Sequence, residues 1–248
     1  MSVKYFLVLI LCSCSFVGVK GQQFNTDNYL TMPHGTSTIT LTAGQRNSGV
    51  IASFSLIPNF EFFAQATMFY ENTSLEIPSH FTTTVYAKYM FWVNEEKNGG
   101  GGVFLGIGKT PGYWANTEFI ELHKNIWSAA SFTFPLFDNA VSWDLMPGMV
   151  YDWSSEPESP GGWGFTYSTR VAVYGIIPQS ALVGEVLGTE GDLFSPMEYR
   201  IGIRWEPNKF VIPAITYGNT FSGSGQGARL EVGVMIFSPP YLKKPLPE

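Results

Sequence analysis

The sequence predicts an all-β chain: an antiparallel up-and-down transmembrane β-barrel of about 12 strands. Three observations predict it. Stretches such as Met197-Glu198-Tyr199-Arg200-Ile201-Gly202-Ile203-Arg204-Trp205 alternate large apolar residues with charged residues or glycine. Successive side chains of a strand point to opposite faces, so one face is apolar and the other holds two arginines. A short strand with two arginines on one face fits a dry soluble core badly and fits lipid outside, water inside. Second, aromatics make up 16% of the chain and charged residues only 14%, against roughly 25% charged in average soluble domains. Third, the gaps between alternating stretches are themselves alternately short and long, a habit of closed membrane barrels.

Residues 1–21 read as a signal peptide. Lys4 gives a positive start, Tyr5 to Val19 is nearly all apolar, and no acidic residue precedes Asp27. The apolar run falls short of the ~20 residues that a membrane-spanning helix needs. Leu11-Cys12-Ser13-Cys14 is also similar to a lipid-attachment site at Cys14. Both cysteines lie here, so a mature chain has none and no disulfide framework. Removing Lys4 and Lys20 with this segment leaves 12 basic against 20 acidic residues, a charge of −8. That balance argues against nucleic acid as a partner. Residues 22–37 are polar and without period, and are expected to form a lead-in or a plug.

The barrel is expected over 38–237. Thr38 to Gly44 alternates plainly and meets Val50 to Ile57 across a turn signal at Arg46-Asn47-Ser48-Gly49. Phe60 to Tyr70 follows Pro58-Asn59 and places Gln65 and Thr67 inside. Phe81 to Val93 alternates most cleanly, with Lys88 on the inner parity. Gly102 to Gly108 puts Val103, Leu105 and Ile107 outside. Ile126 to Phe134 has no clear parity. Val141 to Trp153 carries Asp144 and Asp152 on one face. Trp163 to Tyr174 carries Arg170, Ala181 to Gly188 carries Glu185, and Met197 to Trp205 has the pattern given above. Phe210 to Gly218 and Ala228 to Phe237 complete the set, the last with Arg229 and Glu231 inside. Pro135, Pro147 and Pro213 count against their strands, since each removes a ladder donor. Residues 238–248 form a proline-bearing tail.

The pattern through almost the whole mature chain resembles a bacterial outer-membrane β-barrel of the porin-like kind, on alternation rather than on a motif. The tail after Phe237 departs from barrels that end on an aromatic residue. The resemblance implies the outer membrane of a Gram-negative bacterium as location and its lipid as partner. Alternation also describes a secreted β-sandwich that binds glycans. Tryptophans near strand ends (Trp92, Trp143, Trp153, Trp163, Trp205) favour the membrane, where aromatic girdles mark both interfaces.

A barrel of this size lies between filled small barrels and water-filled porins. It is expected to form a narrow, selective pore or transport channel for small solutes, a polysaccharide or another linear chain. A symmetric hairpin about Ile177–Pro178 sets Arg170 opposite Glu185, and the next reflection brings Arg200 to that level. Glu198, Arg204, Arg229 and Glu231 extend this lumenal cluster, with Lys88 and Asp144 also lining the pore. Each arginine facing lipid near the midplane would cost ~2–4 kcal/mol. The cluster reads either as a charged constriction or as an ion-pair ladder that fills the barrel. The long loop Lys109 to Asn125, with Tyr113, Trp114, Phe119 and Ile120, offers a contact surface for a structural or adhesive barrel.

Chemistry is sparse. His34, His80 and His123 share no metal-ligand spacing. Gly99-Gly100-Gly101-Gly102 lacks the lysine and helix of a phosphate loop. Asn72-Thr73-Ser74 is a chance-level glycosylation triplet. Some outer-membrane barrels hydrolyse lipids, but Ser79 and His80 are adjacent and point apart on a strand. Glu118 and Glu121, near Trp114, are a paired-carboxylate candidate. No catalytic residue, cofactor or metal is assigned.

Overall fold

The computed structural model describes residues 24, 26–71, 79–115, 118–154, 161–222 and 227–242; for 110–115 and 118–123 it describes the strands but not the side chains. The expected signal peptide at 1–21, with Cys12 and Cys14, and the triplet at 72–74 lie outside the described residues.

Twelve strands form one closed antiparallel barrel, each paired with its sequence neighbours. They are β1 (Thr36–Gly44), β2 (Asn47–Ile57), β3 (Phe60–Phe69), β4 (His80–Val93), β5 (Gly100–Ala115), β6 (Glu118–Leu136), β7 (Val141–Asp152), β8 (Gly162–Tyr174), β9 (Ser180–Gly191), β10 (Ser195–Trp205), β11 (Val211–Thr220) and β12 (Arg229–Phe237). β1 closes on β12, with Thr38 opposite Phe237. Closure into a single sheet excludes the two-sheet sandwich.

The faces sort as the alternation requires. Lys88 on β4 is 1% exposed, whereas its neighbour Tyr89 is 42% exposed. The inner wall buries Thr38, Thr40 and Thr42, Ser53 and Ser55, Thr67, Ser131, Asp144, Arg170, Glu185 and Glu231. The outer wall exposes Val85, Leu105, Ile107, Met149, Ile201 and Ile215. An apolar exterior around a polar interior is the arrangement for a barrel in lipid. Exposed Trp92, Trp143 and Trp205 mark one rim, and Trp153 and Trp163 the other.

The connections at the rim holding the start of β1 are short: 58–59, 94–99, 137–140, 175–179 and 206–210. Left-handed backbone at Asn59, Lys97, Phe137, Asp138, Asn139 and Gln179 makes the first four of these turns tight. The longest connections, 70–79, 153–161 and 221–228, fall at the other rim, but 45–46, 116–117 and 192–194 there are as short, so the expected alternation of short and long holds only in part.

Two expectations are corrected. The segment 109–125 is not a loop. β5 and β6 run on as a hairpin, pairing Lys109 with Lys124, Tyr113 with Ile120 and Trp114 with Phe119. β4 stops pairing with β5 at Lys109, and β7 stops pairing with β6 at Asn125. The hairpin therefore stands clear of its neighbours, where Pro111 deprives no flanking strand of a donor. Second, the parity of β6 is definite: Asn125, Ala129, Ser131 and Thr133 are buried inward, and Ile126 and Phe134 face out. Pro147 falls where the β6–β7 ladder lacks its pairs between Ala129↔Gly148 and Phe132↔Leu145.

The tail leaves β12 along the start of β1. Ser238 N donates to Ser37 O at 2.8 Å, and Tyr241 N to Gly35 O at 2.8 Å. Gly35 is left-handed (φ 74°), and a Cβ there would lie 2.7 Å from Leu242 Cβ. That combination of conformation and closeness requires glycine.

Candidate functional site

Most of the charged candidates face the inside of the barrel. Register brings a row of charges into line across β7 to β10. Asp144 pairs with Arg170, Arg170 with Glu185, and Glu185 with Arg200. Directly opposed residues share a face, so these four side chains point inward side by side. Arg170 Nε and Nη2 both donate to Asp144 Oδ2, at 3.0 and 2.9 Å. Thr133 Oγ1 donates to Asp144 Oδ1 at 2.6 Å. Arg200 Nε donates to Glu198 Oε1 at 2.8 Å. Gly218, opposite Arg200, leaves space for that pair: a Cβ there would lie 2.9 Å from Arg200 Cγ and from Glu198 Oε1.

The remaining predicted residues take different places. Glu231 is buried inward on β12. Arg204 sits at the short-turn rim, bonded to Glu206 and to the Tyr174 hydroxyl at 2.8 and 2.6 Å. Arg229 opens β12 in a left-handed conformation, and its Nη1 reaches the outward Tyr217 hydroxyl at 3.4 Å, so it does not join the row. Lys88 lies across the lumen from the row and over the Phe104 ring, 5.2 Å from its centroid. Tyr113, Trp114, Phe119 and Ile120 lie in the projecting hairpin; their side chains, and those of Glu118 and Glu121, are outside the described residues. His80 stacks on Phe69 at 4.9 Å. Among the described residues no cluster of three His, Cys, Asp or Glu is arranged to hold a metal.

The opposite wall, β3 to β6, is aromatic. Phe63 and Tyr86 stack at 4.4 Å with an interplanar angle of 6°. Tyr86 meets Trp127 at 5.2 Å, and Trp127 lies 6.5 Å from Phe104. Trp127 packs over Gly106, where a Cβ would lie 2.4 Å from the indole.

Between these walls runs the segment before β1. Thr26 and Tyr29 are buried, as is Phe24, which packs on Ala172, Ala181 and Val183 of β8 and β9. Thr26 N donates to a Glu185 carboxylate oxygen. Lys88 Nζ bridges Asp27 Oδ2 at 3.0 Å and Leu30 O at 2.7 Å. Ser131 Oγ donates to Asn28 O, and Tyr29 N to Thr133 Oγ1, both at 3.1 Å. Met32 N donates to Glu61 Oε2 at 3.1 Å, and Ser53 Oγ holds the other carboxylate oxygen at 2.6 Å.

Sequence reasoning assigned no role to Glu61, Ser131 or Thr133. Glu61 shares its parity with Gln65 and Thr67, so that signal was present; β6 parity hid the other two.

The chain matches no known family model and no curated protein. Its fold is that of porin-like outer-membrane β-barrels. It is similar to the KdgM porin in complex with disordered oligogalacturonate (TM-score 0.53, 12% identity, covering 81% of this chain and 96% of that one). It is also similar to an outer-membrane channel from Pseudomonas putida F1 (TM-score 0.52, 9% identity, covering 87% of this chain and all of that one).

Proposed function

We propose that this chain is a narrow channel in the outer membrane of a Gram-negative bacterium, passing small or linear hydrophilic solutes. The observation that carries the reading is the closed barrel itself, apolar outside, with an inner wall of charged and hydroxyl side chains. Likeness in fold to a porin and to an outer-membrane channel supports it.

The charge balance gives a sign. Among the described inward residues, Glu61, Asp144, Asp152, Glu185, Glu198 and Glu231 outnumber Lys88, Arg170, Arg200 and Arg204. Arg170, Arg200 and Arg204 are each bonded to a carboxylate. A lumen of engaged arginines attracts polyanions weakly. Neutral saccharides and cations suit it better than acidic ones, in contrast with the oligogalacturonate held by the KdgM porin.

Planar-bilayer recording tests the reading. The expected result is a small conductance with cation preference in a salt gradient, strengthened by Arg200→Glu. A barrel that inserts and conducts in no form, with the segment 26–32 held or released, ends the channel reading. The projecting β5–β6 hairpin favours a second reading, an adhesive barrel; shortening it between Lys109 and Lys124 would then abolish surface binding and leave conductance unchanged.

A further inference from the structure

We propose that the inner wall from β3 to β9 is a binding site for an extended polypeptide backbone, and that its resident ligand is residues 26–32 of the same chain. The site is defined by what it grips. Glu185, Thr133 and Glu61 accept from the backbone N–H groups of Thr26, Tyr29 and Met32. Ser131 and Lys88 donate to the carbonyls of Asn28 and Leu30. These five wall residues come from β3, β4, β6 and β9, far apart in sequence and converging on one short stretch.

That stretch has no strand partner of its own, so its backbone groups need partners from elsewhere. Here charged and hydroxyl side chains supply them, and bonds to ionised groups are the stronger kind. Two side-chain seats complete the site. Phe24 fills an apolar patch of Ala172, Ala181 and Val183 on a wall that is otherwise largely polar. Tyr29 lies against Gly100, where a Cβ would be 2.4 Å from its ring.

The bound stretch crosses the lumen from the start of β1 to β8 and β9. While it is bound it obstructs the passage, and its release opens it. This second half rests on the channel reading; the binding site does not.

Proline deletes an N–H and leaves a chain otherwise continuous. The test is the full-length double variant Thr26→Pro/Met32→Pro, compared with Thr26→Ser/Met32→Leu, which keeps both donors. Limited chymotrypsin digestion of the detergent-solubilised barrel, with cleavage at Phe24, Tyr29 and Leu30 identified by N-terminal sequencing, reads release directly. The expected result is cleavage roughly tenfold or more faster in the proline variant, the equivalent of about one charge-assisted hydrogen bond, with the conservative pair cleaved like wild type. Equal cleavage of wild type and proline variant, or release by both pairs alike, overturns the backbone-binding site. If the prolines prevent barrel formation, Phe24→Ala takes their place: several-fold faster cleavage at Tyr29 supports the site, and an unchanged rate overturns it. Conductance of the same variants separates the two readings. A freed segment with raised conductance supports the obstruction; a freed segment with wild-type conductance in a conducting barrel overturns it. A barrel that conducts in no form fails the channel reading and leaves the binding site to the digestion result.

Discussion

The two halves of the lumenal wall are built from different chemistry. From β3 to β6 the wall is filled by rings, Phe63, Tyr86, Phe104 and Trp127. From β7 to β10 it is filled by the charges Asp144, Arg170, Glu185 and Arg200. Rings hold their place by area and shape, so their cost of removal scales with volume. Paired charges hold theirs only as a set, because a buried charge without its partner is worse than no charge. The same cylinder is therefore tolerant of different substitutions on its two sides.

Removing a ring gives the largest expected effect. Phe104 is 2% exposed, and Phe104→Ala is expected to destabilise the barrel by about 3–5 kcal/mol, as for other buried phenylalanines. Urea unfolding in lipid vesicles measures it; a loss below about 1 kcal/mol would mean the aromatic half is loosely filled. On the charged side, Asp144→Ala leaves Arg170 buried without the carboxylate it bonds, at a cost of about 3 kcal/mol. Asp144→Leu/Arg170→Met should restore most of that loss. A double variant as unstable as the single one would show that the pair is not the unit. Gly106→Ala probes the contact under Trp127. Its Cβ would lie 2.4 Å from the indole, and overpacking of this kind costs about 1–3 kcal/mol. The near-ultraviolet circular dichroism of the Tyr86–Trp127 contact should change with it; an unaltered signal would show that the ring moves freely.

The charged half was legible in the sequence, and the reason is specific. Arg170 and Glu185 are the single charged residues near the middle of their strands, and short turns make hairpin register a matter of reflection. The structure pairs them, and pairs Glu185 with Arg200. The aromatic half was less legible because β6 reads Ser128-Ala129-Ala130-Ser131 at its centre, small residues that suit either face. The β5–β6 hairpin was hidden by Pro111-Gly112, a turn signal that is harmless on a ladder with no outer neighbours. The lumenal segment was hidden most completely. It has no period, and its partners Glu61, Lys88, Ser131, Thr133 and Glu185 become neighbours only once the sheet has closed.

The seam between β1 and β12 carries a consequence for assembly. Every other strand pairs with the one next to it in sequence, so the sheet can zip hairpin by hairpin through local contacts. The seam joins Thr38 to Phe237, and its formation turns an open ribbon into a ring at the entropic cost of closing nearly the whole chain. Ser238 and Tyr241 lengthen that join, and Tyr241 bonds Gly35, the residue from which the lumenal segment departs. Circularisation and anchoring of the segment's base are thus one event. A chain still open at the seam exposes two strand edges and holds the root of its lumenal segment unfixed; in hydrogen exchange the amides of Ser37, Ser238 and Tyr241 should be among the last to gain protection.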